Sequence, residues 1–173
     1  VQIFDLEGTF VSKFGSTGPG DGQLQAPSGI WVTNENIYIV DPARHDVQKF
    51  DLDGIYISKF GSEGTGDGQF QNPTEISVTD THIYISDRER HNVQKFDLSG
   101  TFILKFGSDG AGDGQFQEPT GLSVTDEFIY VIDSDRDDVQ IFDLDGTFVS
   151  KFGSTIISYD DAPGKIIFPS LTS

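Results

Sequence analysis

The string Val-Gln-x-Phe-Asp-Leu-x-Gly begins at Val1, Val47, Val93 and Val139, a strict period of 46 residues. Residues 47–92 and 93–138 align without gaps and share 29 of 46 positions. Units that similar must be structurally equivalent, so the sequence specifies an array of like parts.

One unit, 73–107, divides at turn signals into four short runs: Ile76–Val78, His82–Ser86, Val93–Leu98 and Phe102–Phe106. Each is rich in Val, Ile, Tyr and Phe, as strands are. Thr79-Asp80 and Ser99-Gly100 stand where tight antiparallel connections belong. A Gly-rich passage from Gly107 to Pro119 follows, without strand character. Four antiparallel strands and a longer link, repeated near this length, predict an all-β fold, a β-propeller of four-stranded blades. The link is a geometric necessity. The chain must leave the outermost strand of one blade and re-enter at the innermost strand of the next, across three spacings of about 4.8 Å. Phe50, Phe60, Phe96, Phe106, Phe142 and Phe152 recur in register and are expected to fill the layers between blades.

The charge narrows the partners. With 28 acidic and 11 basic side chains the formal net charge is −17, so nucleic acids and anionic membranes would be repelled. There is no Cys, which excludes disulfides and Cys-ligated zinc. No apolar stretch approaches the roughly 18 residues a membrane span needs. The chain opens at Val1 without a signal-like segment and reads as a mature product or a fragment. Strong acidity fits an extracellular, cell-surface or saline setting, where screening relieves self-repulsion.

Gly112–Gly121, Ile129–Asp133, Val139–Gly146 and Lys151–Gly153 together read Gly-Asp-Gly-Gln-Phe-Gln-x-Pro-Thr-Gly, Ile-Tyr-Val-x-Asp, Val-Gln-x-Phe-Asp-x-x-Gly and Lys-Phe-Gly. This pattern resembles the NHL repeat, and the likeness covers residues 1–153. In that family the run before Val-Gln usually carries Asn-His-Arg. Here it reads Arg44-His45-Asp46, Arg90-His91-Asn92 and Arg136-Asp137-Asp138, with the Arg displaced by two positions. The resemblance implies six blades as the usual count. It also implies relatives of two kinds, metal-dependent lyases or hydrolases and RNA binders with a basic face.

The blade count is incomplete. Residues 1–15 are an outer half-blade, 27–61, 73–107 and 119–153 are full blades, and 154–173 are a divergent tail within one domain spanning 1–173. The tail could supply closing strands for a four-bladed ring or add a strand outside the last blade. A second copy could instead bring three more blades, or the chain is part of a longer array. Ring closure by a homo-dimer or a fragment is the preferred expectation.

His45, His91 and Asp137 occupy equivalent positions, one per blade, too far apart to share an ion at ligand distances near 2 Å. Asp41, Asp87 and Asp133 end the second strands and are expected to cap backbone amides or to pair with Arg44, Arg90 or Arg136. Asp133, Asp135, Asp137 and Asp138 crowd the third copy and are the candidate ligands for Ca²⁺, although no EF-hand spacing is present. Asp21, Asp67 and Asp113 in the Gly-Asp-Gly-Gln motif are expected to bond local amides. The loops between second and third strands vary most between copies: Pro42-Ala43-Arg44, Arg88-Glu89-Arg90 and Ser134-Asp135-Arg136. Variation on one face is the pattern of a binding surface. Arg44, His45, Arg88, Arg90, His91 and Arg136 are its candidate residues, and a protein or peptide its candidate ligand. Catalysis finds little support, with three His and no Ser/His/Asp grouping. The chain therefore reads as a non-catalytic interaction scaffold. The alternatives are a metal-assisted hydrolase or lyase domain, and a structural module that self-assembles.

Overall fold

The computed structural model describes residues 1–153, in which sixteen short strands and no helix occur. β1 (Gln2–Phe4) and β2 (Phe10–Lys13) form an antiparallel pair, and β3 (Ser16–Thr17) and β4 (Gln23–Leu24) a small parallel one. Three four-stranded antiparallel sheets follow, each ordered as the chain runs. The first holds β5 (Ile30–Val32), β6 (Asn36–Asp41), β7 (Asp46–Asp51) and β8 (Tyr56–Phe60). The second holds β9 (Pro73–Val78), β10 (His82–Asp87), β11 (Asn92–Asp97) and β12 (Phe102–Phe106). The third holds β13 (Pro119–Val124), β14 (Phe128–Asp133), β15 (Asp138–Asp143) and β16 (Phe148–Phe152). β5 lies beside β9 and β9 beside β13, so the innermost strands of successive sheets adjoin.

The four runs read from 73–107 are present, with the first longer than expected. β9 starts at Pro73, which pairs with Asp87 beyond a register shift. The Gly-rich links differ from the expectation of no strand character. Besides the β3–β4 pair, Glu63 bridges Phe70 and Asp109 bridges Phe116, both in parallel sense. Phe70 N donates to Ser62 O and Phe116 N to Ser108 O, which satisfies backbone groups that the sheets do not reach.

Buried apolar residues form three clusters, and these lie between sheets. One packs Tyr38, Val40 and Val47 of the first sheet against Ile76, Val78, Ile83, Ile85 and Phe96 of the second. Another packs Tyr84 and Val93 against Leu122, Ile129, Val131 and Phe142 of the third. The third joins Val1 and Phe14 to Ile37, Ile39 and Phe50. Trp31 packs against the edge of the first of these. The recurrent phenylalanines meet across each seam: Phe14 with Phe50 at 5.1 Å, Phe60 with Phe96 at 4.9 Å and Phe106 with Phe142 at 4.8 Å between ring centroids. Phe152 departs from the expectation, being 56% exposed with no described sheet beyond β16.

Seam and turn are locked together by one glycine per sheet. Gly100 has φ +86°, which the tight β11–β12 turn requires, and a Cβ there would lie 2.6 Å from the Phe60 ring. The turn is also pinned by Asp97, whose Oδ1 accepts the amides of Ser99 and Thr101 at 2.9 Å. The same pinning recurs at Asp51 and Asp143. This accounts for the Asp and Gly of Phe-Asp-Leu-x-Gly in physical terms.

Candidate binding face

Each second-to-third-strand hairpin is built from the same parts. Asp41, Asp87 and Asp133 are buried at the ends of β6, β10 and β14. Their carboxylates each accept two consecutive link amides: Gln25 and Ala26 for Asp41, Gln71 and Asn72 for Asp87, Gln117 and Glu118 for Asp133. The capping expected of these three residues is thus present, and in the first and third sheets the Arg pairs instead with the following carboxylate, Asp46 or Asp138. The loop then turns through a left-handed residue, His45 at φ 54°, His91 at φ 52° and Asp137 at φ 54°. Such a conformation is costly for most side chains but tolerated by His and Asp. His91 Nδ1 is 2.7 Å from Gln117 O, whereas His45 Nδ1 is buried without a partner.

Three of the four candidate arginines turn away from solvent. Arg44 pairs with Asp46 at 3.0 Å and donates to Gly18 O. Arg136 pairs with Asp138 at 2.9 Å and donates to Gly110, Gly112 and Gln115 carbonyls. Both side chains are nearly buried, 5% and 6% exposed. Arg90 has Asn92 in place of Asp and donates from both terminal nitrogens to the Thr65, Gly66 and Gln69 carbonyls. The displaced Arg therefore staples the Gly-rich link to the sheet. Burial raises the Asp46 carboxyl above the ordinary carboxylate range, a shift that Arg44 only partly offsets. Arg88 is the exposed member, half open to solvent, and pairs across the seam with Glu118 of the next link.

The candidate calcium ligands do not converge. Asp133 is spent on amides, Asp138 on Arg136, and Asp135 and Asp137 lie exposed. Among the described residues no group of three or more His, Asp or Glu side chains is placed to hold a metal ion.

Asp21, Asp67 and Asp113 correct a second expectation. They pair with Lys59, Lys105 and Lys151 at 2.8, 2.7 and 2.7 Å on the outer strands, and the local amides go elsewhere. Gln23, Gln69 and Gln115 accept the Gly20, Gly66 and Gly112 amides. Gln48, Gln94 and Gln140, fully buried, reach in from the third strand. Each accepts the amide of Gly22, Gly68 or Gly114 and donates to the carbonyl of Gln23, Gln69 or Gln115. The only sequence signal for this was the Gln of each Val-Gln pair. The exposed residues on these loops are Ala43, Arg88, Glu89, Ser134, Asp135 and Asp137.

Four-stranded antiparallel sheets in chain order, stacked face to face with innermost strands adjoining, define a β-propeller. The chain belongs to the family described as 6-bladed beta-propeller (DUF5128), whose model matches residues 1–62 and 63–156. No curated protein matches it in sequence. Among solved structures it is similar to virginiamycin B lyase from Staphylococcus aureus, with TM-score 0.63 and 14% identity over 88% of this chain and 47% of that one. It is also similar to the hydrazine synthase of Kuenenia stuttgartiensis, with TM-score 0.62 and 16% identity over 79% of this chain and 38% of that one. A nidogen/laminin complex matches with TM-score 0.57 and 16% identity, over 75% and 48%. The chain spans less than half the length of each, and the fold is what they share.

Proposed function

We propose that this propeller, with repeats of the NHL type, is a non-catalytic scaffold that binds a protein or peptide through its second-to-third-strand loops. One observation carries the reading. The parts that hold each loop recur from sheet to sheet: strand-end Asp, left-handed residue and Arg staple. Between these parts the side chains vary most, and Ala43, Arg88-Glu89 and Ser134-Asp135 among them are exposed. Rigid support under variable side chains is how recognition loops are built. The likeness to a chain of a nidogen/laminin complex is compatible with such a role. Assembly with a second copy, three blades from each making six, belongs to the same reading, and light scattering tests it. The test of recognition is a peptide-display selection on the chain. Selected peptides should lose binding to Arg88→Glu, Glu89→Arg and Asp135→Lys, and keep it with Lys105→Ala on the outer strand. Peptides indifferent to every loop change would defeat the proposal. The second reading, a metal-assisted lyase or hydrolase domain, draws on the likeness to virginiamycin B lyase and would require zinc or calcium to bind at micromolar concentration.

A further inference from the structure

Each seam joins two different faces. The leaving face offers a phenylalanine at the end of an outermost strand: Phe14, Phe60 or Phe106. The receiving face offers the turn glycine of the next sheet, Gly54, Gly100 or Gly146, where a Cβ would run into that ring. Beside the glycine stands a second phenylalanine, Phe50, Phe96 or Phe142, 1% exposed and packed on the same ring. Three seams of this kind are closed. Among the described residues, one further face of each kind stands open.

The open receiving face is on β1–β2. Gly8 has φ +83°, against +81°, +86° and +82° at Gly54, Gly100 and Gly146, yet nothing lies within 4 Å of where its Cβ would be. Phe4, the counterpart of Phe50, Phe96 and Phe142, is 53% exposed. It already meets Phe10 edge-on at 6.0 Å and 78°, as Phe96 meets Phe102 at 6.0 Å and 82°. The face therefore has the geometry of a closed seam before anything covers it, which lowers the ordering cost of covering it. The open leaving face is on the third sheet. Phe152 is the counterpart of Phe106 and is 56% exposed, where Phe106 is 8%. Ile132 is half exposed, whereas Val40 and Ser86 in the equivalent places are fully buried.

We propose that these two open faces dock on each other between copies of this chain, with Phe152 of one copy lying on Gly8 and Phe4 of the next. A second copy is the occupant because it carries the half of the seam that each face lacks, in the form the three closed seams already take. The inference rests on the assembly reading above and deepens it. The two faces differ, so the contact is head-to-tail, and it seats the half-blade β1–β2 between the full sheets of one copy and those of the next. Light scattering of the unaltered chain should show mass rising with concentration. Phe152→Asp spoils the leaving face, and Gly8→Asn keeps a left-handed backbone that Asn tolerates while filling the place of the ring. Both positions are exposed, so each variant should keep its melting temperature. Each alone should stay at the mass of one chain, its association weakened about tenfold or more. Mixed in equal amounts, the two variants should form a dimer and go no further, because each supplies the face that the other lacks. A mass of one chain at every concentration for the unaltered protein overturns both this contact and the assembly reading. Assembly of Phe152→Asp equal to that of the unaltered chain overturns the contact alone. So does a mixture that stays monomeric while the unaltered chain assembles.

Discussion

At the scale of single residues, the three loops are parallel experiments on one position. Asp46 and Asp138 pair with the Arg two residues earlier, while Asn92 leaves Arg90 to bond only carbonyls. The raised Asp46 pKa has a definite sign. Its charged form is disfavoured in the fold, so its contribution to stability declines as pH rises through the interval between its unfolded and folded values. Asp46→Asn, which copies the second sheet, should therefore change unfolding free energy by less than about 1 kcal/mol at neutral pH. Arg44→Ala strands the buried Asp46 carboxylate and the Gly18 carbonyl, and should cost about 3 kcal/mol or more. Urea denaturation of the two variants decides between an electrostatic and a hydrogen-bonding account of the staple.

At the scale of elements, the strands were legible because each is a short Val-, Ile- and Phe-rich run bounded by turn residues, repeated in register. The links were not. Gln94 and Gly68 are 26 residues apart, and Lys105 and Asp67 are 38 apart, so no local pattern reveals which side chain satisfies which amide. The candidate face was legible as a place, the loops where copies differ, whereas the inward turn of Arg44, Arg90 and Arg136 depends on link carbonyls whose position only the fold supplies. Gln94→Ala leaves the Gly68 amide and the Gln69 carbonyl without their buried partner, and should cost about 1–3 kcal/mol. Hydrogen exchange at residues 62–70 should quicken in that variant while exchange in β10 and β11 stays slow. The outer turns carry the acid sensitivity. Hydrogen bonds from Ser99 and Thr101 hold Asp97 below the ordinary carboxylate range, and those from Thr147 and Asp145 do so for Asp143. Their contribution is present above the unfolded pKa and is lost as pH falls through the lower folded value. Melting temperature should drop below about pH 4, less steeply in the Asp97→Asn, Asp143→Asn double variant, which keeps the acceptors without their titration.

At the scale of the whole molecule, stability lies in the seams, and charge acts against it. Phe96 is buried among Phe60, Phe70 and Phe102, so Phe96→Ala opens a void at the centre of a seam and should cost about 3–5 kcal/mol. The surface Lys–Asp pairs are exposed and contribute little, whereas the net charge of −17 is repulsive throughout. Raising sodium chloride from about 0.02 to about 0.5 M shortens the screening length several-fold and should raise the melting temperature. A fall would mean that the Lys59, Lys105 and Lys151 pairs outweigh the self-repulsion. The Phe-on-Gly contact has a consequence for how such a chain lengthens or shortens. Phe14 meets Gly54, Phe60 meets Gly100 and Phe106 meets Gly146 in the same way, so every unit carries both halves of the junction. Copying or deleting one 46-residue stretch of coding sequence then creates no new junction to be solved, and the number of units becomes a trait that recombination can alter in a single step.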